Sequence, residues 1–383
     1  MKLFDVYPRY EVEPVKASGS TVWDKNGKTY LDFYGGHAVI SIGHAHPHFV
    51  STIHQQLEKL PFYSNAVPNA MQDELAEKLG EISNCKDYEL FLCNSGAEAN
   101  ENALKVASFY NSRKKVIAFK KGFHGRTSAA VNTTDNLSIQ APLNQGFEVE
   151  RHSWDKPELV LESLAKGDVC AVIIEAVQGI GGIHIAPDEF LNQLSKACFA
   201  SDTVLILDEV QAGYGRTGEF FAFQHSKIKP DLISIAKGMG NGFPIGGVLI
   251  SNRFESRYGL LGSTFGGAHL ACAAGIAVLD VIHNENLIAL SATNGQLLIN
   301  ALNEIEGIKT VRGRGLMIGI ELPFDSKAIR NDLLYNEQVF TGSSSDKNVL
   351  RLLPPLTVSI EEIDQFLNSF KKVFTKHLEA QAI

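Results

Sequence analysis

The sequence predicts an α/β protein built on a mostly parallel sheet, and three observations carry that expectation. Short runs nearly continuous in Val, Ile and Leu recur through the middle of the chain, as in strands covered on both faces. Segments with apolar residues at helical spacing alternate with them, as crossover helices between parallel strands require. No internal repeat or low-complexity linker interrupts the alternation.

The elements follow in order. "TVWDKNGKTYLDF" (21–33) has two alternating runs around Asn26-Gly27, a strong hairpin signal. "HFVSTIHQQLEKL" and "AMQDELAEKLGEI" have helical spacing. The buried-strand runs are "YELFLCN" (88–94), "KVIAFK" (115–120), "CAVIIEAV" (170–177), "TVLILDEV" (203–210), "DLISIA" (231–236) and "IGGVLI" (245–250). Beyond about residue 270 the pattern is helical, then comes a strand-like pair at 308–322, and the chain closes on the helical "SIEEIDQFLNSFKKVFTKHLEA". Residues 51–270 are therefore expected to form a large α/β domain. Residues 1–50 and 271–383 are expected to join in a small α+β domain.

Composition narrows the function. A chain of 383 residues has room for one large domain and a smaller one. The net charge of −8 and the lack of a basic block argue against nucleic acid as a partner. No stretch reaches the roughly 20 apolar residues of a membrane span. The N-terminus, "MKLFDVYPRYEVEPVKASG", is too charged and too broken by proline for a signal peptide. Five cysteines (Cys85, Cys93, Cys170, Cys198, Cys272) with no C-x-x-C pair suit a reducing cytosol. A cytoplasmic enzyme or binding protein is expected.

The chemistry concentrates in the loops after the strands. "LILDEVQAGYGRTG" ends an apolar strand on Asp208 and Glu209, at the sheet end where α/β proteins bind ligands. In "CNSGAEANENALKVA" (93–107), Ser95 and Glu98 fit a capping box, and Gly96 and Ala97 put small residues at a helix N-terminus suited to phosphate. "SIAKGMGNGFPIGG" carries Lys237 from a strand into a glycine-rich loop. A lysine there, with Asp208 one strand-end away, suggests Schiff-base chemistry with an acid for a pyridinium nitrogen.

"KGFHGRTSAA" offers Phe123 and His124 before Gly125-Arg126, an aromatic to stack on a planar cofactor and a guanidinium to clamp a carboxylate. "GSTFGGAHLA" presents Ser263 and Thr264 in a further glycine-rich turn suited to phosphate. Arg351 falls inside the apolar run "NVLRLLPPLTVS", and a buried arginine needs an anion. "HAHPH" (44–48) alternates three histidines, but Pro47 interrupts it and no Cys or Asp cluster adjoins, so no metal is expected.

Taken together, these motifs resemble the class III (ω-amino acid) pyridoxal-phosphate aminotransferases, and within them the acetylornithine (N-acylornithine) aminotransferases. The resemblance covers almost the whole chain, from "YLDFYGGHAVISIGHAHP" through "NSGAEANENALKVA", "GFHGRT", "LILDEVQAGYGRTG", "SIAKGMGNGFPIGG" and "GSTFGG" to "LRLLPPLTVSIEEID". A Rossmann oxidoreductase lacks support, because no G-x-G-x-x-G follows the first strand of a βαβ unit. A non-catalytic binding module leaves the lysine, acid and phosphate set without a purpose.

The resemblance implies the fold type I architecture of PLP-dependent transferases and a cytoplasmic homodimer with shared active sites. It implies that Lys237 holds pyridoxal 5′-phosphate and shuttles a proton, and that Asp208 pairs with the ring nitrogen. Val210 and Phe123 cover the two ring faces, and Gln211 lies near the ring hydroxyl. Gly96 and Ala97 hold the phosphate, joined by Thr264 from the partner subunit. Arg126 takes a substrate carboxylate, Ser263 touches the same substrate, and Arg351 takes the α-carboxylate of glutamate. The implied reaction passes the δ-amino group of N-acetylornithine to 2-oxoglutarate, a step of arginine biosynthesis. The alternatives are N-succinylornithine, ornithine and 4-aminobutyrate as donors.

Three departures from the family pattern stand out. Ala176 stands for a proline and Ala268-His269 for Asn-Pro. Ile180 stands for an acid that in this family pairs with the arginine matched by Arg351, which bears on substrate choice.

Overall fold

The computed structural model describes residues 1–381. Its centre is a seven-stranded sheet in the order Tyr88–Cys93, Gly246–Ser251, Leu232–Ile235, Val204–Asp208, Val169–Ile174, Lys115–Phe119 and Val149–His152. Val204–Asp208 runs parallel to Leu232–Ile235 on one side and to Val169–Ile174 on the other. Gly246–Ser251 alone reverses, pairing antiparallel with both of its neighbours. Every residue of Val169–Ile174 and of Val204–Asp208 is buried, which accounts for their unbroken apolar runs.

Register fixes the key side chains. Asp208 lies opposite Ser234, and the next strand runs out at Ile235, two residues before Lys237. Acid and lysine therefore leave the sheet at the same end. The helix Gly96–Asn111 crosses this sheet with a face of small residues, Ala99, Ala103 and Ala107, that permits close approach. Its N-terminus opens at that same end, directly after the strand Tyr88–Cys93.

Two four-stranded sheets flank the centre. Pro14–Ser18, Thr21–Asp24 and Thr29–Asp32 form an antiparallel meander, and Val339–Phe340 adds parallel to the last of them. The hairpin turn at Asn26-Gly27 is tied by Asp24 Oδ1, which accepts the N–H of Asn26 at 2.8 Å and of Lys28 at 2.9 Å. Thr310–Arg314, Met317–Glu321, Val349–Leu352 and Gly342–Ser343 form the other sheet, with Arg351 opposite Gly319 and Gly342. The last helix, Ile360–Gln381, buries Ile363, Phe366, Phe370, Val373 and Phe374, an apolar stripe at helical spacing.

One further strand joins the central sheet, and one local expectation is corrected. Val149–His152 is a strand that the sequence conceals, because an edge position tolerates Glu150, Arg151 and His152 in succession. The capping box closes on one side only. Ser95 Oγ accepts the Glu98 N–H at 3.2 Å, but the Glu98 carboxylate turns to the N–H and side-chain amide of Asn94, each at 2.9 Å.

Candidate functional site

A cavity of about 390 Å³ opens at the carboxyl end of the central sheet. Gly96, Ala97, Phe123, Arg126, Asp208, Val210, Gln211 and Lys237 all line it, so eight of the residues singled out in the sequence meet at one place. They arrive from four separate loops.

Lys237 leaves its strand in a left-handed conformation, φ 46°, a strained backbone for a residue with a side chain. Burial lowers its pKa below that of an ordinary lysine, while the charges of Asp208 and Glu175 act in the opposite direction. The amine therefore reaches its nucleophilic neutral form more readily than a surface lysine.

Asp208 is 4% exposed. Its Oδ1 accepts the Val210 N–H at 3.0 Å, and its Oδ2 accepts Asn100 Nδ2 at 2.7 Å and faces His124 Nδ1 at 2.8 Å. The following Glu209 points elsewhere. Its carboxylate accepts the backbone N–H groups of Ala222 and Phe223, at 2.9 and 3.0 Å. Gly96 has no room for a side chain, since a Cβ there would stand 2.5 Å from Val210 Cγ1. The helix N-terminus and the Val210 side chain thus pack directly together.

Glu175 is a site residue that the sequence reading did not single out. It is buried, lines the cavity, and accepts the N–H groups of Phe123 and Gly179, both at 2.9 Å. Burial, and then the negative charge of Asp208, raise its pKa above the ordinary carboxylate range. Asn100 and His124 were likewise not assigned. The only advance signal for any of them was proximity in sequence to residues that were.

Arg351 is 1% exposed and stands behind the cavity wall. Its Nη1 donates to Gln211 Oε1 at 3.2 Å and its Nε to the Ser343 carbonyl at 2.5 Å. The Gln211 amide in turn donates to the His37 carbonyl at 2.9 Å. No carboxylate pairs with Arg351 among the described residues. Burial lowers its pKa to about 10.

Arg126 is exposed at the cavity and forms no ion pair among the described residues. Ser263 and Thr264 lie outside this lining. Ser263 Oγ accepts the Asn94 side-chain amide at 3.1 Å and the Gly266 N–H at 3.0 Å, and Thr264 is exposed. The histidines of "HAHPH" diverge to three different acids. His44 meets Asp32 at 2.8 Å, His46 meets Glu285 at 2.9 Å and His48 meets Asp280 at 3.2 Å.

Comparison with known proteins agrees with this geometry. The profile of the family described as aminotransferase class-III matches residues 6–374. The acetylornithine aminotransferase of Caldanaerobacter subterraneus is 39% identical, with 98% of this chain and 97% of that protein covered. The acetylornithine aminotransferase of Bacillus subtilis is 38% identical, with 98% of each covered. Among solved structures, the ornithine aminotransferase of Toxoplasma gondii superposes with a TM-score of 0.89 at 29% identity, covering 97% of this chain and 92% of that one. The acetylornithine aminotransferase of Elizabethkingia anophelis gives 0.83 at 27% identity, covering 97% and 95%. The chain belongs to the class-III aminotransferases.

Proposed function

We propose that this aminotransferase moves the δ-amino group of N-acetyl-L-ornithine to 2-oxoglutarate, giving N-acetylglutamate 5-semialdehyde and glutamate in arginine biosynthesis. The observation that carries the reading is the meeting of an interior lysine, Lys237, with the buried acid Asp208 in one cavity. Acetylornithine aminotransferases related to the chain at 38–39% identity favour this donor.

The residues fit pyridoxal phosphate. Asp208 Oδ1 accepts a single bond from the protein and keeps capacity for one N–H more. The free N–H groups of Gly96 and Ala97 at a helix N-terminus suit a phosphate, and the missing side chain at Gly96 lets Val210 pack directly against that turn. Phe123 and Val210 bring an aromatic and a branched side chain to the same space. When bound, the cofactor supplies a carbonyl for the amine and an electron sink.

The chain's own residues do the rest. Lys237 holds the cofactor and carries the proton removed from the substrate carbon that bears the amine. Asp208 keeps a proton on the ring nitrogen. Arg126 receives the α-carboxylate of the donor, and Arg351 the α-carboxylate of glutamate.

The working form is taken to be a cytoplasmic homodimer in which Thr264 reaches the phosphate of the neighbouring site. Exposed Phe62 and Phe265 support this, because their rings pair 5.3 Å apart beside Thr264 and offer apolar surface for burial. The test is kcat/KM for N-acetylornithine, N-succinylornithine, ornithine and 4-aminobutyrate, each with 2-oxoglutarate. N-Acetylornithine is expected to be the best of the four. A higher value for N-succinylornithine corrects the acyl group and keeps the reaction, whereas a higher value for 4-aminobutyrate overturns the assignment.

A further inference from the structure

Asp208 does not set its own position. Two residues from other elements hold it, and both act on the same oxygen. Asn100 Nδ2 donates to Oδ2 at 2.7 Å, and His124 Nδ1 lies 2.8 Å from that atom. A carboxylate oxygen has about two acceptor sites, so Oδ2 is saturated. Among the described residues Oδ1 accepts only the Val210 N–H and keeps capacity to spare.

The two holders are themselves linked. The second amide hydrogen of Asn100 goes to the His124 carbonyl at 2.7 Å. Asn100 is 1% exposed and His124 is 3% exposed, so water does not compete for these bonds. His124 Nε2 has no partner among the described residues, which assigns the ring proton to Nδ1, facing the acid. Asn100 also lies one turn into the helix whose first residues are Gly96 and Ala97. A single rigid helix thus carries both the phosphate-binding N–H groups and a clamp on the acid, and helix-borne groups are held more exactly than loop-borne ones.

We infer that His124 and Asn100 are positioning residues that fix the Asp208 carboxylate and turn its Oδ1, rather than Oδ2, toward the cofactor. The inference rests on the pyridoxal-phosphate reading. The hold matters because a second buried acid, Glu175, lines the same cavity.

The experiment is a double-mutant cycle on the full-length holoenzyme, reading kcat, KM for N-acetylornithine and the Kd for pyridoxal phosphate by fluorescence titration of the apoenzyme. His124→Ala and Asn100→Ala are each expected to lower kcat by roughly 10- to 100-fold, the scale of one hydrogen bond to a charged group, with KM changed less than about threefold. Each should also weaken cofactor binding by about fivefold or more. His124→Asn keeps a donor near the Nδ1 position and should recover most of the loss, which guards against a misfolded alanine variant.

In an Asp208→Asn background, the same changes should cost less than about threefold, because the residue they act through is gone. Equal losses in both backgrounds overturn the inference, as do variants that change only the melting temperature. If Asp208→Asn alone leaves kcat and the cofactor Kd intact, the cofactor reading itself falls, and this inference with it.

Discussion

Asp208 and Glu209 are adjacent in sequence and hydrogen-bond in opposite directions. Asp208 turns to the cavity with Asn100 and His124 on one oxygen, and Glu209 turns away to cap the turn at Ala222 and Phe223. Side chains alternate faces along a strand, so a pair of acids at its end serves two sides of the sheet. One acid faces the site, and the other ties the following loop that carries Gly213 to Gly218 back onto the strand.

Glu209 gives the fold a pH dependence. Burial raises its pKa to about 8 in the folded chain, from an ordinary value near 4.5. The folded state therefore binds more protons than the unfolded one between those values, and stability falls as pH rises through that window. Its contribution is fully present below about pH 4.5 and lost above about pH 8. Glu209→Gln should flatten the decline of the melting temperature between pH 5 and pH 8. Parallel profiles for the two proteins would show that Glu209 does not titrate in this range.

Ile180 offers a test of substrate choice. It lines the cavity, and the adjoining Gly179 packs so closely on Gln211 that a Cβ there would stand 1.8 Å from Oε1, the acceptor for Arg351. A carboxylate placed at position 180 is expected to compete for Arg351, whose acceptors among the described residues, Gln211 Oε1 and the Ser343 carbonyl, are neutral. Ile180→Glu should raise KM for 2-oxoglutarate by roughly tenfold, the worth of one displaced charged hydrogen bond, and change KM for N-acetylornithine much less. Matching changes for both substrates would remove Ile180 from the account of specificity.

Much of this was legible beforehand because it is local. Asn26-Gly27 dictated the hairpin, and unbroken apolar runs marked six strands of the central sheet. Motifs at strand ends located Lys237, Asp208 and the helix N-terminus, since a parallel sheet brings such ends together. What stayed hidden is long-range. Asn100 and His124 reach Asp208 across 108 and 84 residues, and no pattern within "GAEANENALKVA" distinguishes Asn100 from a solvated helix residue. Arg351 was recognised as needing an anion, but the neutral Gln211 and Ser343 that hold it are specified only by the packed sheet.

Shared sites make a prediction of their own. Mixing Lys237→Ala and Thr264→Ala chains should regenerate one intact site in each mixed dimer, if Thr264 serves its neighbour. With random exchange, about half of the dimers are mixed, so activity should return to roughly a quarter of wild type. No recovery after verified exchange of chains would mean that each site is built from one chain.

Lys237 tests the central claim most directly, because its amine, its strained backbone and its place beside Asp208 have no evident structural use. The measurement is the visible absorbance of the purified, cofactor-loaded Lys237→Ala protein, taken with its transamination rate on N-acetylornithine and 2-oxoglutarate. The account predicts that the absorbance of the lysine-bound cofactor disappears and that the rate falls at least about a thousandfold, because covalent attachment and proton transfer are lost together. A Lys237→Ala protein that keeps the wild-type spectrum and rate would contradict it.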